Sequence, residues 1–192
     1  MELKGRGVVA IAEREIGERL WVGSEPITLP DHERVAKTRI RRVVYILRVP
    51  GDYHPELAKG QELFEHYRME SVQLNFEPSG LSAEADRMAS LFLFHDMAYN
   101  LIEEGSRTLL CCKHGNTAAL VAVGYLIKKR RLSLKKAKSL VNQSIALALG
   151  FTPRVSVLPG CLRPNDFGLE ALAERYSKSD RTRKERHELM GA

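Results

Sequence analysis

An α/β fold, with a central, mostly parallel sheet of about five strands covered by helices on both faces, is predicted by two features of the chain. Short runs rich in branched and aromatic residues alternate with longer stretches whose apolar residues recur at helical spacing. One of the short runs, Leu109-Leu110-Cys111-Cys112, passes through a glycine-bearing turn straight into the long apolar stretch Ala119 to Ile127. The 192 residues are enough for one well-cored domain and too few for two ordinary ones.

The apolar patch Val8 to Ile11 reads as an N-terminal arm or edge strand. Leu20–Val22 and Ile40–Leu47 read as strands with turn signals between them. Val49-Pro50-Gly51-Asp52 breaks the chain, and Gln61–His66 gives a short helix before a third strand, Met69 to Phe76. A long helix begins after Ser82, its expected N-cap, and ends near Gly105. Met88, Phe92, His95, Tyr99 and Ile102 mark its buried stripe, so His95 reads as a core histidine. Asp86 and Asp96 belong to the same helix and are discounted as general acids. Ser133 caps the next helix, with Leu134, Ala137 and Val141 facing inward. Residues 150–162 form an irregular connector, and a last helix runs from about Asp166 to Tyr176. The charged tail from Ser177 holds few apolar residues. Nothing repeats internally.

Composition narrows the classes. Hydrophobic residues make up 44% of the chain, which excludes wholesale disorder. No apolar run approaches the ~18 residues that span a bilayer, and no secretory core follows Met1-Glu2-Leu3-Lys4. Three cysteines, two of them adjacent, make a poor disulfide framework and suit a reducing compartment, the cytosol or the nucleus. A Cys111–Cys112 vicinal disulfide is conceivable as a redox lock, against strained geometry. No paired His or Cys spacing suggests a metal, and no cofactor is expected. The net charge of +6 is concentrated between Lys128 and Lys138, where seven cations stand without one acid. That run is either a solvated helix end or a docking face for an acidic partner, and it weakly resembles a nuclear-import signal. Nucleic acid is the weaker of the partner readings.

Chemistry concentrates in Leu109-Leu110-Cys111-Cys112-Lys113-His114-Gly115-Asn116-Thr117-Ala118-Ala119. A strand, a cysteine, a tight loop and a helix start make an anion cradle, with backbone N–H groups converging above a thiol. This arrangement resembles the Cys-(X)5-Arg phosphate-binding loop of the dual-specificity and protein tyrosine phosphatases. Four further blocks resemble that family in the same order. Ile16-Gly17-Glu18-Arg19-Leu20-Trp21-Val22-Gly23-Ser24 is similar to its opening strand and turn, and Arg39–Leu47 to its next strand. Gly124-Tyr125-Leu126-Ile127 with Leu132–Ala137 is similar to its helix pair after the loop. Arg163-Pro164-Asn165-Asp166-Phe167-Gly168-Leu169 is similar to the signature before its last helix. The resemblance implies a phosphatase-like domain over 16–176, with 1–15 as an arm or edge strand and 177–192 as a charged tail. It also implies that the sheet presents its ligand site at the carboxyl ends of the strands.

On that resemblance Cys112 holds the nucleophile position, and Cys112, Lys113, His114, Gly115, Asn116, Thr117 and Ala118 form the phosphate-binding loop. The departures are as informative. Position 118 should be the arginine that grips two phosphoryl oxygens, and it is Ala118. The histidine before the nucleophile is Cys111, and the hydroxyl residue after the arginine is Ala119. The general-acid aspartate should follow Val72-Gln73-Leu74, where Glu77 is the only weak substitute. A transition-state arginine is worth about 10³–10⁵ in rate, and a general acid roughly 10²–10⁴. The expectation is therefore a pseudophosphatase that binds a phosphoprotein or signalling partner. The alternative is a weak protein tyrosine/serine/threonine phosphatase working through a cysteinyl-phosphate at Cys112, with Lys113 or Arg154 compensating. An RNA 5′-phosphatase would need the same arginine and meets the same objection.

Overall fold

The computed structural model describes residues 9–10, 19–26, 28–47, 55–75, 84–103, 106–113, 115–148 and 168–176. The strands are β1 (Val9–Ala10), β2 (Leu20–Ser24), β3 (Arg42–Leu47), β4 (Glu70–Asn75) and β5 (Thr108–Cys112). They form one five-stranded sheet in the order β1-β2-β5-β3-β4. The β1 edge pairs antiparallel with β2, and every other pairing is parallel. The helices are α1 (Leu29–Ala36), α2 (Pro55–His66), α3 (Glu84–Glu103), α4 (Asn116–Arg130), α5 (Leu134–Ala148) and α6 (169–176).

The last strand in sequence lies in the middle of the sheet. β5 sits between β2 and β3 and is buried along its whole length, as a parallel strand covered on both faces must be. Its carboxyl end, and with it Cys112, therefore opens at the centre of the sheet edge rather than at a flank.

Strand alternation sorts the core into two layers. Leu20, Val22, Val44, Ile46, Leu110 and Cys112 face the larger layer, against α3, α4, α5 and α6. Val43, Tyr45, Leu47, Leu109 and Cys111 face the smaller one, against α1 and α2. Helix α4 is buried continuously from Thr117 to Ile127, the signature of a helix with apolar residues all round that is sunk into the core. At its midpoint Gly124 lets α3 come close, because a Cβ there would overlap the Tyr99 hydroxyl.

Three expectations change. The segment between β2 and β3 holds α1, not only turns. Its sequence signal was Thr28-x-x-Asp31, a reciprocal capping box in which the Asp31 N–H donates to Thr28 Oγ1 (3.4 Å) and the Thr28 N–H to Asp31 Oδ2 (3.2 Å). The helix before β4 begins at Pro55, six residues earlier than the periodicity alone indicates. On α3, His95, Tyr99 and Ile102 are buried as expected, but Leu91, Phe94 and Ala98 complete the stripe while Met88 and Phe92 lie at its margin. Ser82, Gly105, the 150–162 connector and the tail from Ser177 lie outside the described residues.

Candidate functional site

The cradle is built where β5 hands the chain to α4. The Cys112 carbonyl accepts two backbone donors, the Glu25 N–H at 2.9 Å and the Gly115 N–H at 3.0 Å. The first continues the β2–β5 ladder by one step; the second closes the turn. Gly115 then takes the left-handed conformation (φ +77°), and its carbonyl receives the Ala119 N–H at 2.9 Å to start the helix. Two constraints require glycine here. Its φ is costly for any side chain, and a Cβ would stand 3.2 Å from the Gly23 carbonyl carbon and 3.3 Å from the Ser24 nitrogen. The loop thus rests directly on the end of β2. No side chain caps α4, so the helix N-terminus keeps its partial positive charge for whatever enters the loop.

The two adjacent cysteines have opposite surroundings. Cys111 is wholly buried against Tyr45 and Leu109, and its thiol donates to the Val44 carbonyl (3.5 Å). Burial above all, then the neighbouring Cys112 and Glu25, pushes its thiol well above the ordinary value of 9.0. It is a core thiol, not a nucleophile. Cys112 points to the other face, under the loop, among Val22, Leu110 and the start of α4. Both are free thiols. Because consecutive strand residues face opposite ways, a Cys111–Cys112 disulfide would require β5 to break, and the redox-lock idea does not fit this strand.

The remaining loop positions divide sharply. Lys113 is exposed, Asn116 half-buried and Thr117 buried. Ala118, where the resemblance calls for arginine, is 0% exposed and Ala119 is 1% exposed, both packed into the larger core layer. The first turn of α4 therefore presents backbone amides and no guanidinium. His114 and Glu77 lie outside the described residues, as does Arg154.

Away from the loop, His95 is buried with its Nδ1 2.8 Å from the Tyr99 hydroxyl, beneath Gly124 and nine positions along α4 from Gly115. The basic run is partly neutralised. Lys128 pairs with Asp96 and Lys129 with Glu103, each at 3.2 Å, and Arg131 lies over the Tyr176 ring. Arg130, Lys135 and Lys136 are exposed at the α4–α5 corner. Among the described residues, no group of three acidic, histidine or cysteine side chains could hold a metal ion, and no helix is long and apolar enough to cross a membrane.

One residue beside the loop escapes the sequence reading. Ser24 closes β2 in register with Cys112, and its buried hydroxyl has no hydrogen-bond partner. The alternation of Leu20, Val22 and Ser24 was the available signal that this serine faces the thiol's side.

No protein-family model matches the chain, and no curated protein matches it. Solved structures do. Tk-PTP in its active form superposes with a TM-score of 0.55 at 19% identity, over 83% of this chain and 95% of its own. Human DUSP28 gives 0.51 at 19% identity, over 91% and 95%. Kinase associated phosphatase, with serine in place of its catalytic cysteine, gives 0.56 at 13% identity, over 92% and 97%. At these identities the likeness establishes the fold: the chain has the α/β fold of the dual-specificity and protein tyrosine phosphatases.

Proposed function

We propose that this chain is a phosphatase-fold binding protein, a pseudophosphatase whose loop seats a phosphoryl group or another oxyanion of a partner without turning it over. The observation that carries the reading is Ala118, buried in the core layer where a phosphoryl-gripping arginine would stand. A backbone cradle at a helix N-terminus can hold an oxyanion. It does not follow the charge that develops as a phosphoryl group transfers, and a cation doing so is worth about 10³–10⁵ in rate. Lys113 is a point charge on an exposed side chain and cannot reproduce a planar fork. A phosphorylated protein or signalling partner is the ligand class this reading implies, and the exposed cations of the α4–α5 corner give an acidic partner a second contact.

A second reading is a weak cysteine phosphatase. It is favoured by one observation, that Cys112 lies at the end of the central strand beneath the Gly115 turn while Cys111 is sequestered. Attack would form a sulfur–phosphorus bond at Cys112 as the phosphorus–oxygen bond breaks and the alcohol leaves with a proton from water. A second water would then cleave the sulfur–phosphorus bond, releasing inorganic phosphate and returning the thiol.

Turnover of an aryl phosphate across pH 5–8, measured beside Cys112→Ser together with tungstate binding, decides between the two. The proposal expects tungstate to bind and hydrolysis to match the Cys112→Ser background. Hydrolysis that vanishes in Cys112→Ser overturns it in favour of the weak enzyme. Absence of both binding and turnover removes the loop from the function altogether.

A further inference from the structure

We propose that Ser24 is the positioning hydroxyl of Cys112, a donor on the neighbouring strand that holds the sulfur in its thiolate form under the loop. The inference deepens the reading of the loop as the ligand site and rests on it.

Three observations converge. First, β2 and β5 run parallel with Ser24 opposite Cys112, so the two residues stand about 4.8 Å apart across the ladder. Second, they share a face. Leu20 and Val22 on β2 and Leu110 and Cys112 on β5 all pack into the same core layer, and alternation brings Ser24 to that side with them. On β3 the residues of that face nearest Cys112 are Val44 and Ile46, and α4 contributes Ala118 and Ala119 where the helix covers the strand. Third, the Ser24 hydroxyl is buried and has no hydrogen-bond partner among the described residues. Leaving such a group unpaired is costly, and the β2–β5 register sets the Cys112 sulfur on the neighbouring strand position as an acceptor for it. The Gly115 turn is seated on the Gly23–Ser24 peptide, so this hydroxyl belongs to the wall of the cradle. A thiol needs no strong donor, whereas a thiolate does. The hydroxyl keeps its proton, and the proton lost from sulfur passes to solvent.

The test is iodoacetamide alkylation of Cys112, followed on its own peptide by mass spectrometry from pH 5 to 9. In Ser24→Ala the rate at pH 7 is expected to fall about tenfold or more, as for loss of a hydrogen bond to a charged group, with the whole profile displaced to higher pH. Ser24→Thr keeps the hydroxyl and the wild-type rate. Melting temperature read at pH 5, the acid end of the range, supplies the control and is expected unchanged or raised in Ser24→Ala, because a thiol does not depend on the donor. A Ser24→Ala profile identical to wild type overturns the proposal, as does a wild-type Cys112 that stays unreactive throughout. A lowered melting temperature with an unchanged profile assigns the hydroxyl to packing and overturns it equally. Alkylation needs neither turnover nor a bound oxyanion, so failed tungstate binding counts against the phosphoryl-binding reading while the Ser24 result stands by itself.

Discussion

The two ends of α4 handle charge in opposite ways. At the amino end the helix itself offers backbone amides, with a left-handed Gly115, an uncapped first turn and the buried methyl groups of Ala118 and Ala119, and the one described cation of the loop is the exposed Lys113. At the carboxyl end it crowds Lys128, Lys129, Arg130 and Arg131 into a few residues, and two of those meet carboxylates on α3. The helix dipole favours cations at that end. The amino end joins a central strand to a helix through a tight glycine turn, with alanine at position 118; the carboxyl end carries the concentrated charge. On the proposed reading the fold is kept without the chemistry, and that separation runs along a single helix.

The comparison breaks most readily at Gly115. Valine there meets two penalties at once, a β-branched residue at φ +77° and a Cβ pressed onto the Gly23–Ser24 peptide. Gly115→Val is expected to cost about 2–4 kcal/mol and to abolish tungstate binding, as read by thermal melting and titration calorimetry. Full tungstate affinity in this variant would mean that the amino end is not the anion site and that the contrast between the ends is false.

Between the ends, Gly124 fixes how α4 lies on α3. A methyl group there would overlap the hydroxyl of Tyr99, which is fully buried and tied to His95. The helix-propensity gain of about 1 kcal/mol from Gly→Ala is therefore outweighed, and Gly124→Ala should destabilise by about 1–3 kcal/mol. Adding Tyr99→Phe removes the obstructing oxygen. The double-mutant cycle should return a favourable coupling near 1 kcal/mol; additive losses would show that the helices are not set by this contact.

Much of this architecture was legible because it depends on local rules. Short branched and apolar runs marked β3 and β5, helical spacing marked α3, and the strand–glycine–helix passage from Leu109 to Ile127 marked the join of β5 to α4. What escaped depends on pairing. The long stretch from Ser24 to Ile40 gave no periodic signal strong enough to show α1, although Thr28 and Asp31 carried its cap. The α3 stripe was misplaced at Met88 and Phe92 because helical spacing alone carries no knowledge of which helices lie alongside. Within the loop, the cysteine, the glycine and the substituted Ala118 were all visible in one dimension. Ser24 was not, since its meaning comes from standing beside a residue 88 positions later, a relation that only the β2–β5 register supplies.

The smallest effect is expected at the carboxyl end, and it is the most selective. Lys128 and Lys129 are committed to Asp96 and Glu103, so they add little to an outside field, whereas Arg130, Lys135 and Lys136 are exposed around the turn into α5. Lys135 and Lys136 also stand in the first turn of that helix, where the dipole disfavours cations; reversing them should relieve local repulsion. The triple variant Arg130→Glu, Lys135→Glu, Lys136→Glu is accordingly expected to keep its stability within about 0.5 kcal/mol. The wild-type chain is expected to bind an acidic test peptide at low salt, with affinity falling as salt rises, and the triple variant is expected to lose that binding. Tungstate binding at the amino end should not change. If the triple variant lost tungstate affinity as well, the two ends of α4 would be electrostatically coupled, and the corner cations would be serving the cradle from a distance in place of the guanidinium that Ala118 cannot supply.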